Sequence, residues 1–209
     1  MTAWQFGSMQ MFGYDLIVAD PPWDFENYSD AGTAKGADPH YQVMSLDAIK
    51  ALRVGELAAR DCLLLMWTCG WTIATGQAQQ VAAAWGFRPL TEIVWRKTTT
   101  SGKVRMGTGY RVRTCHEPIL LCVTGNPTHE PFLSCFDGIA RQHSRKPEEF
   151  YRMVDACCPN LQGRADLFSR KSRPGYDGWG HQTGKFDDEG NEAPPPPAIP
   201  QSSHLSNAA

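Results

Sequence analysis

The chain has 209 residues, 42% of them hydrophobic and 20% charged, with a formal net charge of −2. That length suits a single domain with a full core, and the charge excludes a uniformly basic nucleic-acid-binding protein. No apolar stretch reaches the length of a membrane span, and the opening residues MTAWQFGSMQMFGYDL lack the basic and apolar regions of a secretory signal. The seven cysteines are odd in number, form no CxxC pair and lie partly in apolar runs, as expected of reduced thiols in a cytoplasmic protein. The six histidines show no ligand spacing, so no metal site is predicted.

The folded body is expected from about residue 10 to about residue 186. Tyr14–Ala19 is an apolar run, the pattern of a buried parallel strand. Ser45 is placed to cap a short helix with Leu46, Ile49 and Leu52 on one face. Cys62–Trp67 reads as a second buried strand. Trp71–Trp85 reads as a helix with Ile73, Val81 and Trp85 in one stripe and Gly86 as its stop. Leu90–Trp95 and Pro118–Val123 are further strands. Pro147 opens a helix in which Phe150, Met153, Val154 and Cys157 recur at helical spacing, and Ala165–Phe168 is a last short strand. Alternating strands and helices predict an α/β sheet with helices on both faces, whose ligands sit at the carboxyl ends of strands. The expected division is one domain over residues 1–186 and a disordered acidic, then proline-rich tail over 187–209.

Asp20-Pro21-Pro22-Trp23 directly follows the first strand. Pro21 forces Asp20 towards extended geometry, Pro22 does the same to Pro21, and each proline removes an N–H donor. The loop therefore offers acceptors: the Asp20 carboxylate and nearby carbonyls. The matching ligand is a flat ring bearing an amine with two N–H donors, such as adenine. Trp23 then supplies a stacking face, worth about 1–3 kcal/mol per base. In the plainer reading it is a core residue after a proline turn.

Together with later blocks, this tetrapeptide resembles the messenger-RNA adenosine methyltransferase (MT-A) family of adenine-N6 methyltransferases, which includes bacterial and phage DNA-modifying members. The blocks are His40-Tyr41, Met44-Ser45, Leu65-Met66-Trp67-Thr68, Glu92-Ile93-Val94-Trp95-Arg96-Lys97, His116-Glu117-Pro118, Gly125-Asn126-Pro127, Lys146-Pro147-Glu148-Glu149-Phe150-Tyr151, Asp166-Leu167-Phe168-Ser169-Arg170 and Trp179-Gly180-His181-Gln182, in the family's order over residues 14–183. The resemblance implies a Rossmann-like S-adenosylmethionine-dependent methyltransferase sheet with permuted motif order, the catalytic motif preceding the cofactor motif. It implies catalytic roles for Asp20, Pro21, Pro22 and Trp23. It implies cofactor contacts from Asp20, Lys146, Asp166, Phe168, Arg170, Arg173, His181 and Gln182. Arg170 and Arg173 would meet hydroxyls or a carboxylate. His181 stands where the family commonly has asparagine in its ribose-contacting segment. Tyr41 resembles the pocket tyrosine beside the target base, and Trp95, His116 and Glu117 fall in motifs on the substrate side.

Residues 96–116 hold Arg96, Lys97, Lys103, Arg105, Arg111 and Arg113 with no acid. Lys97, Lys103, Arg105, Arg111 and Arg113 are therefore expected to neutralise phosphates from a mobile Gly/Thr/Ser-rich loop, and Tyr110 to stack on a base. DNA is the expected polymer, with RNA as the alternative. A catalytically silent nucleic-acid-binding subunit is a rival of another class. The chain shows no separate recognition domain, so recognition is short or shared with a second subunit in a homodimer or heterodimer. No membrane partner is expected.

Overall fold

A computed structural model describes residues 4–24, 43–107, 112–142 and 145–188. The strands are β1 (Tyr14–Ala19), β2 (Ala58–Trp67), β3 (Arg88–Thr98), β4 (His116–Thr124), β5 (Cys135–Ile139), β6 (Arg164–Leu167) and β7 (Asp177–Trp179). They form one seven-stranded sheet in the order β5-β3-β4-β2-β1-β6-β7. The pairs β1–β2, β1–β6, β3–β5 and β6–β7 are parallel, whereas β4 is antiparallel to both β2 and β3. Among these strands β4 alone is reversed. Its first residues therefore lie at the edge of the sheet where β1, β2 and β3 end.

Helices α1 (Leu46–Lys50), α2 (Gly70–Ala74) and α3 (Gln77–Ala84) cover one face, and α4 (Glu148–Cys157) covers the other. Strand periodicity explains the apolar runs. Ile17 and Ala19 of β1 pack with Ile49, Val81 and Trp85 on the first face, while Leu16 and Val18 pack with Phe150 and Val154 on the second. Leu63, Leu64, Leu65 and Met66 of β2 are likewise fully buried across both faces, each contributing about 1.5–3 kcal/mol. This is a mixed α/β fold of the Rossmann-like methyltransferase type.

Several boundaries differ from the sequence expectation, each for a local reason. Ser45 does cap α1, its hydroxyl accepting from Ala48 N at 3.2 Å. The single helix expected over Trp71–Trp85 is two, because Gly76 takes a left-handed φ of 74° between α2 and α3. Pro147 stands outside α4 as its extended N-cap, with Glu148 and Glu149 in the first turn, where the helix dipole favours acids. The body begins earlier than about residue 10, since Phe6 and Met9 are core residues and Trp4 packs against them. Strands β5 and β7 were not expected. Asp187, placed in the tail by composition, accepts from Ser172 N at 2.7 Å. Residues 189–209 lie outside the described residues.

The start of β1 is tied to the turn before β6. The carbonyl of Gly163 accepts from Asp15 N at 2.8 Å and from Leu16 N at 3.1 Å. A Cβ on Gly163 would lie 2.3 Å from the Gly13 carbonyl oxygen, so this approach requires glycine. Gly163→Ala is expected to destabilise the fold by about 1–3 kcal/mol through forced separation of β1 and β6, read as a lower urea midpoint with an unchanged slope.

Candidate functional site

Asp20 extends the sheet ladder by one residue, its N–H donating to Leu167 O at 3.1 Å. The two prolines then turn the chain inward. Trp23 N donates to Pro21 O at 2.8 Å and Met44 N donates to Pro22 O at 3.0 Å. Each proline carbonyl thus already accepts one hydrogen bond and keeps a second lone pair. Trp23 is not a stacking face: it is 5% exposed and its indole N–H donates to Trp67 O at 3.0 Å. The indole braces the turn against β2, as the plainer reading of the motif would have it.

The Asp20 carboxylate belongs to a line of four charges. Lys146 Nζ lies 3.0 Å from Asp20 Oδ1 and 2.9 Å from Glu117 Oε2, and Lys97 Nζ lies 2.6 Å from Glu117 Oε1. Two tryptophans form the floor. Lys146 Nζ stands 4.7 Å from the Trp67 ring centroid and Lys97 Nζ 5.2 Å from that of Trp95, positions in which the rings attract cations. Burial alone would lower the Lys146 pKa, but Asp20 and Glu117 outweigh it and hold the ammonium above its ordinary range. Burial likewise pushes the Glu117 carboxyl up, yet Lys146 and Lys97 together bring it down to about 2. Asp20 shares one lysine and faces Glu117, so burial keeps its pKa raised in spite of Lys146.

A second cluster surrounds Asp166 at the end of β6, 3% exposed. The Tyr151 hydroxyl donates to Asp166 Oδ2 at 2.9 Å, and Arg173 Nε lies 3.9 Å from the same oxygen. The Arg173 guanidinium stacks 3.4 Å from the Tyr151 ring centroid and pairs with Glu148. Glu148 also meets Lys171 at 3.2 Å and Arg141 at 3.6 Å. Arg173 is therefore neither a surface charge nor a side chain held for a ligand alone. Burial pushes Asp166 up to about 7, although Arg173 and the Tyr151 hydroxyl oppose it.

Two cavities meet at Phe168, one lined by Asp20 and the other by Pro22 of the same turn. A narrow polar one is lined by Asp20, Lys146, Asp166, Ser169, Arg170 and Arg173 among others. A larger one of about 600 Å³ is lined by Gln5, Pro22, Met44, Leu52, Phe168, Trp179, Gly180 and His181, a size typical of small-molecule sites. Phe168 holds a left-handed φ of 63°, a strained position of the kind that clusters at ligand sites. Gly180 permits it, for a Cβ there would lie 2.9 Å from Phe168 Cα. The buried Ser169 Oγ and Gln182 Oε1 have no hydrogen-bond partner among the described residues, as suits atoms that face a polar ligand.

The residues expected from sequence divide as follows. Asp20, Lys146, Glu117 and Lys97 come together, as do Asp166, Phe168, Arg170 and Arg173, while His181 lines the larger cavity and Gln182 is its neighbour in sequence. Lys97 is engaged with Glu117 rather than held free for phosphate. Trp95 is 3% exposed and donates its indole N–H to Gly138 O at 2.9 Å, so it does not stack on a base. His116 is half-buried opposite Arg96. The expected mobile loop is a hydrogen-bonded hairpin where described: Thr98 bridges Val104, Thr99 N donates to Lys103 O at 2.8 Å and Gly107 N donates to Thr114 O at 2.7 Å. Thr99 caps this turn, its Oγ1 accepting from Lys103 N at 3.2 Å and lying 3.0 Å from Ser101 Oγ. Lys103 and Arg113 are exposed on it, and Arg105 donates to Ala140 O at 2.7 Å. Tyr41, Tyr110 and Arg111 lie outside the described residues. Sequence reasoning gave no site role to Tyr151, Glu148 or Ser169. A tyrosine one residue off the apolar stripe of α4 was the available signal for the first.

The sequence profile of the MT-A70 family matches residues 14–182, and the chain belongs to that family. It is 29% identical over 170 residues to the N(6)-adenosine-methyltransferase MT-A70-like protein of Arabidopsis thaliana, covering 79% of this chain and 23% of that one. It is 29% identical over 162 residues to the N(6)-adenosine-methyltransferase catalytic subunit METTL3 of Homo sapiens, covering 75% and 26%. It is 28% identical over 184 residues to the type II methyltransferase M.MunI of a Mycoplasma species, covering 80% and 76%. The chain thus spans about a quarter of the adenosine methyltransferases it matches, and three quarters of the type II enzyme. All seven cysteines are free thiols. Among the described residues no helix is long and apolar enough to cross a membrane, and no group of three or more His, Cys, Asp or Glu side chains is placed to hold a metal ion.

The raised Asp166 carboxyl binds its proton more tightly folded than unfolded. Its contribution to stability is complete below its unfolded value of 3.8 and declines as pH rises through about 7. Asp166→Asn retains an acceptor for Tyr151 and removes that titration. Urea midpoints of wild type minus variant should therefore fall steadily between pH 4 and pH 7. A flat difference across the window would show that Asp166 is already ionised throughout.

Proposed function

We propose that this protein transfers a methyl group from S-adenosylmethionine to the exocyclic N6 amine of adenine in DNA. The observation that carries the reading is the Asp20 carboxylate, held by Lys146 at the carboxyl edge of the sheet, lining the polar cavity, with Pro22 of the same turn lining the larger one. S-adenosylmethionine, when bound, supplies an electrophilic methyl group and leaves as a neutral thioether. The polar cavity of Asp166, Ser169, Arg170 and Arg173 suits its charged amino-acid end. The larger cavity at Phe168, Trp179 and His181, with Gln182 alongside, suits its adenosine. His181 offers a ring nitrogen to a hydroxyl where the family commonly has an amide.

The adenine amine is a weak nucleophile because its lone pair is shared with the ring. Asp20 accepts one N–H, and a remaining lone pair on a proline carbonyl accepts the other. These bonds favour a pyramidal nitrogen with a localised pair. Positive charge that then grows on the nitrogen is stabilised by the Asp20 carboxylate in a site sheltered from water. Tyr41, Tyr110 and Arg111 complete the substrate side in this reading, and recognition is short or shared with a second subunit. Exposed Lys103 and Arg113 meet the backbone, and a duplex must release its target base at a cost of a few kcal/mol.

Compact family members are those to which the sequence resemblance assigns DNA, and the match in extent to a type II methyltransferase supports that polymer. The test supplies labelled S-adenosylmethionine with duplex DNA, single-stranded DNA and RNA, followed by digestion to nucleosides. N6-methyldeoxyadenosine from DNA is the expected product. Label in RNA alone overturns the choice of polymer, and no transfer to any of them favours a silent subunit. Asp20→Ala leaves Lys146 paired with Glu117, so the fold is expected to persist while transfer falls by about 100-fold or more.

A further inference from the structure

Lys97 sits in residues 96–116, which hold six Lys or Arg and no acid, and as a phosphate contact it would point its ammonium to solvent. Instead it is packed inward from the end of β3. Its Nζ is 2.6 Å from Glu117 Oε1, with side-chain exposures of 22% and 23%, and it lies over the Trp95 ring. Glu117 passes the interaction on, since its other oxygen holds Lys146, which in turn holds Asp20. Lys97 therefore reaches Asp20 through two intermediates.

We propose that Lys97 is a positioning residue for the methyl transfer: it fixes Glu117 as an anion against Lys146, and so leaves Asp20 as the carboxylate of the pair that takes the proton. The inference rests on the proposed methyltransferase reading. Once the adenine nitrogen has formed its fourth bond it is cationic. One N–H proton then moves to an Asp20 oxygen, giving a neutral N-methyl amine and a protonated Asp20, which returns its proton to water. Two carboxylates stand within reach of Lys146, and the geometry makes them unequal. Glu117 has a lysine on each oxygen; Asp20 has one, and faces the charge of Glu117. The pKa directions agree: Glu117 is held down at about 2 while Asp20 is raised. The other groups that act on Asp20 are Arg170 after β6, which favours its ionised form, Asp166 at the end of β6, and the Cys69 thiol that caps α2.

The test is Lys97→Met, which keeps the length and apolar body of the side chain and leaves Glu117 paired with Lys146. Removing a positive charge makes Asp20 easier to protonate. Asp20 must be ionised to act, so the acid limb of the kcat profile is expected to move to higher pH by about one unit, with kcat on that limb down by up to about tenfold. KM for DNA and the salt dependence of binding should stay as in wild type, and Lys97→Arg should restore most of kcat. A raised KM with a shallower salt slope and an unmoved acid limb would mark Lys97 as a phosphate contact and overturn the proposal. Carbon-13 carboxyl titration without substrate gives a readout independent of activity. An upward shift of the Glu117 midpoint towards that of Asp20 in Lys97→Met supports the proposal, and an unmoved Glu117 midpoint overturns it. Wild-type protein that methylates nothing counts against the proposed function, and the titration still decides the order of the two carboxylates.

Discussion

The ammonium of Lys146 joins three segments that are remote in the chain: the end of β1 through Asp20, the start of β4 through Glu117, and the approach to α4. Removing charges from water costs several kcal/mol per ion, which pairing must offset. A buried lysine at this place therefore requires carboxylates on both sides, and the topology provides them. Forward strands β1 and β2 finish at this edge, and the reversed strand β4 begins there. A forward β4 would carry Glu117 to the opposite edge, leaving Lys146 with Asp20 alone. The antiparallel insertion is thus an electrostatic requirement of the site as well as a feature of the sheet.

Asp166 and Glu148 organise the neighbouring half in another way. Glu148 gathers Arg141, Lys171 and Arg173 at the first turn of α4, so the guanidinium of Arg173 is fixed from one side by an acid and from beneath by the Tyr151 ring. The cations at that polar cavity are held in place before any ligand arrives, which lowers the ordering cost of binding. The strain at Phe168 belongs to the same arrangement. It turns the chain at the end of β6 so that one ring borders both cavities, and Gly180 is the neighbour that leaves room for the turn.

Legibility in the sequence followed burial. Strands β1 and β2 and helix α4 announce themselves because apolar residues fill both faces of a central strand and one face of a helix. Strands β5 and β7 carry CFDGI and DGW, short and partly exposed, and exist because β3 and β6 offer them an edge. No pattern within those residues encodes that. In the site, Asp20 was legible because two prolines strip the loop of donors and leave an acid as its one strong acceptor. Lys97 was misread by local charge counting. Residues 96–116 contain no acid, and its partner Glu117 is the next residue beyond them. For Trp23 and Trp95, residue type fixes the size of the ring and leaves its direction open. Trp67 O and Gly138 O, which fix it, become neighbours only in the folded sheet.

The two kinds of charge in this molecule answer to different physics. Lys97, Glu117, Lys146 and Asp20 are largely withdrawn from water and neutralise one another, so their attraction is little screened by salt and their geometry is set by packing on Trp67 and Trp95. Lys103 and Arg113 on the hairpin are exposed, and act across a Debye length of about 8 Å at physiological ionic strength. In the proposed reading, recognition of an amine at Asp20 would rest on fixed, short hydrogen bonds, while attachment to a polyanion would be diffuse and weaken as salt rises. Because the hairpin continues from the end of β3, the element that carries Lys97, the diffuse charges begin where the buried line ends. In the proposed reading, a polymer drawn to the hairpin would be delivered to the edge of the sheet at which the Asp20 carboxylate is held.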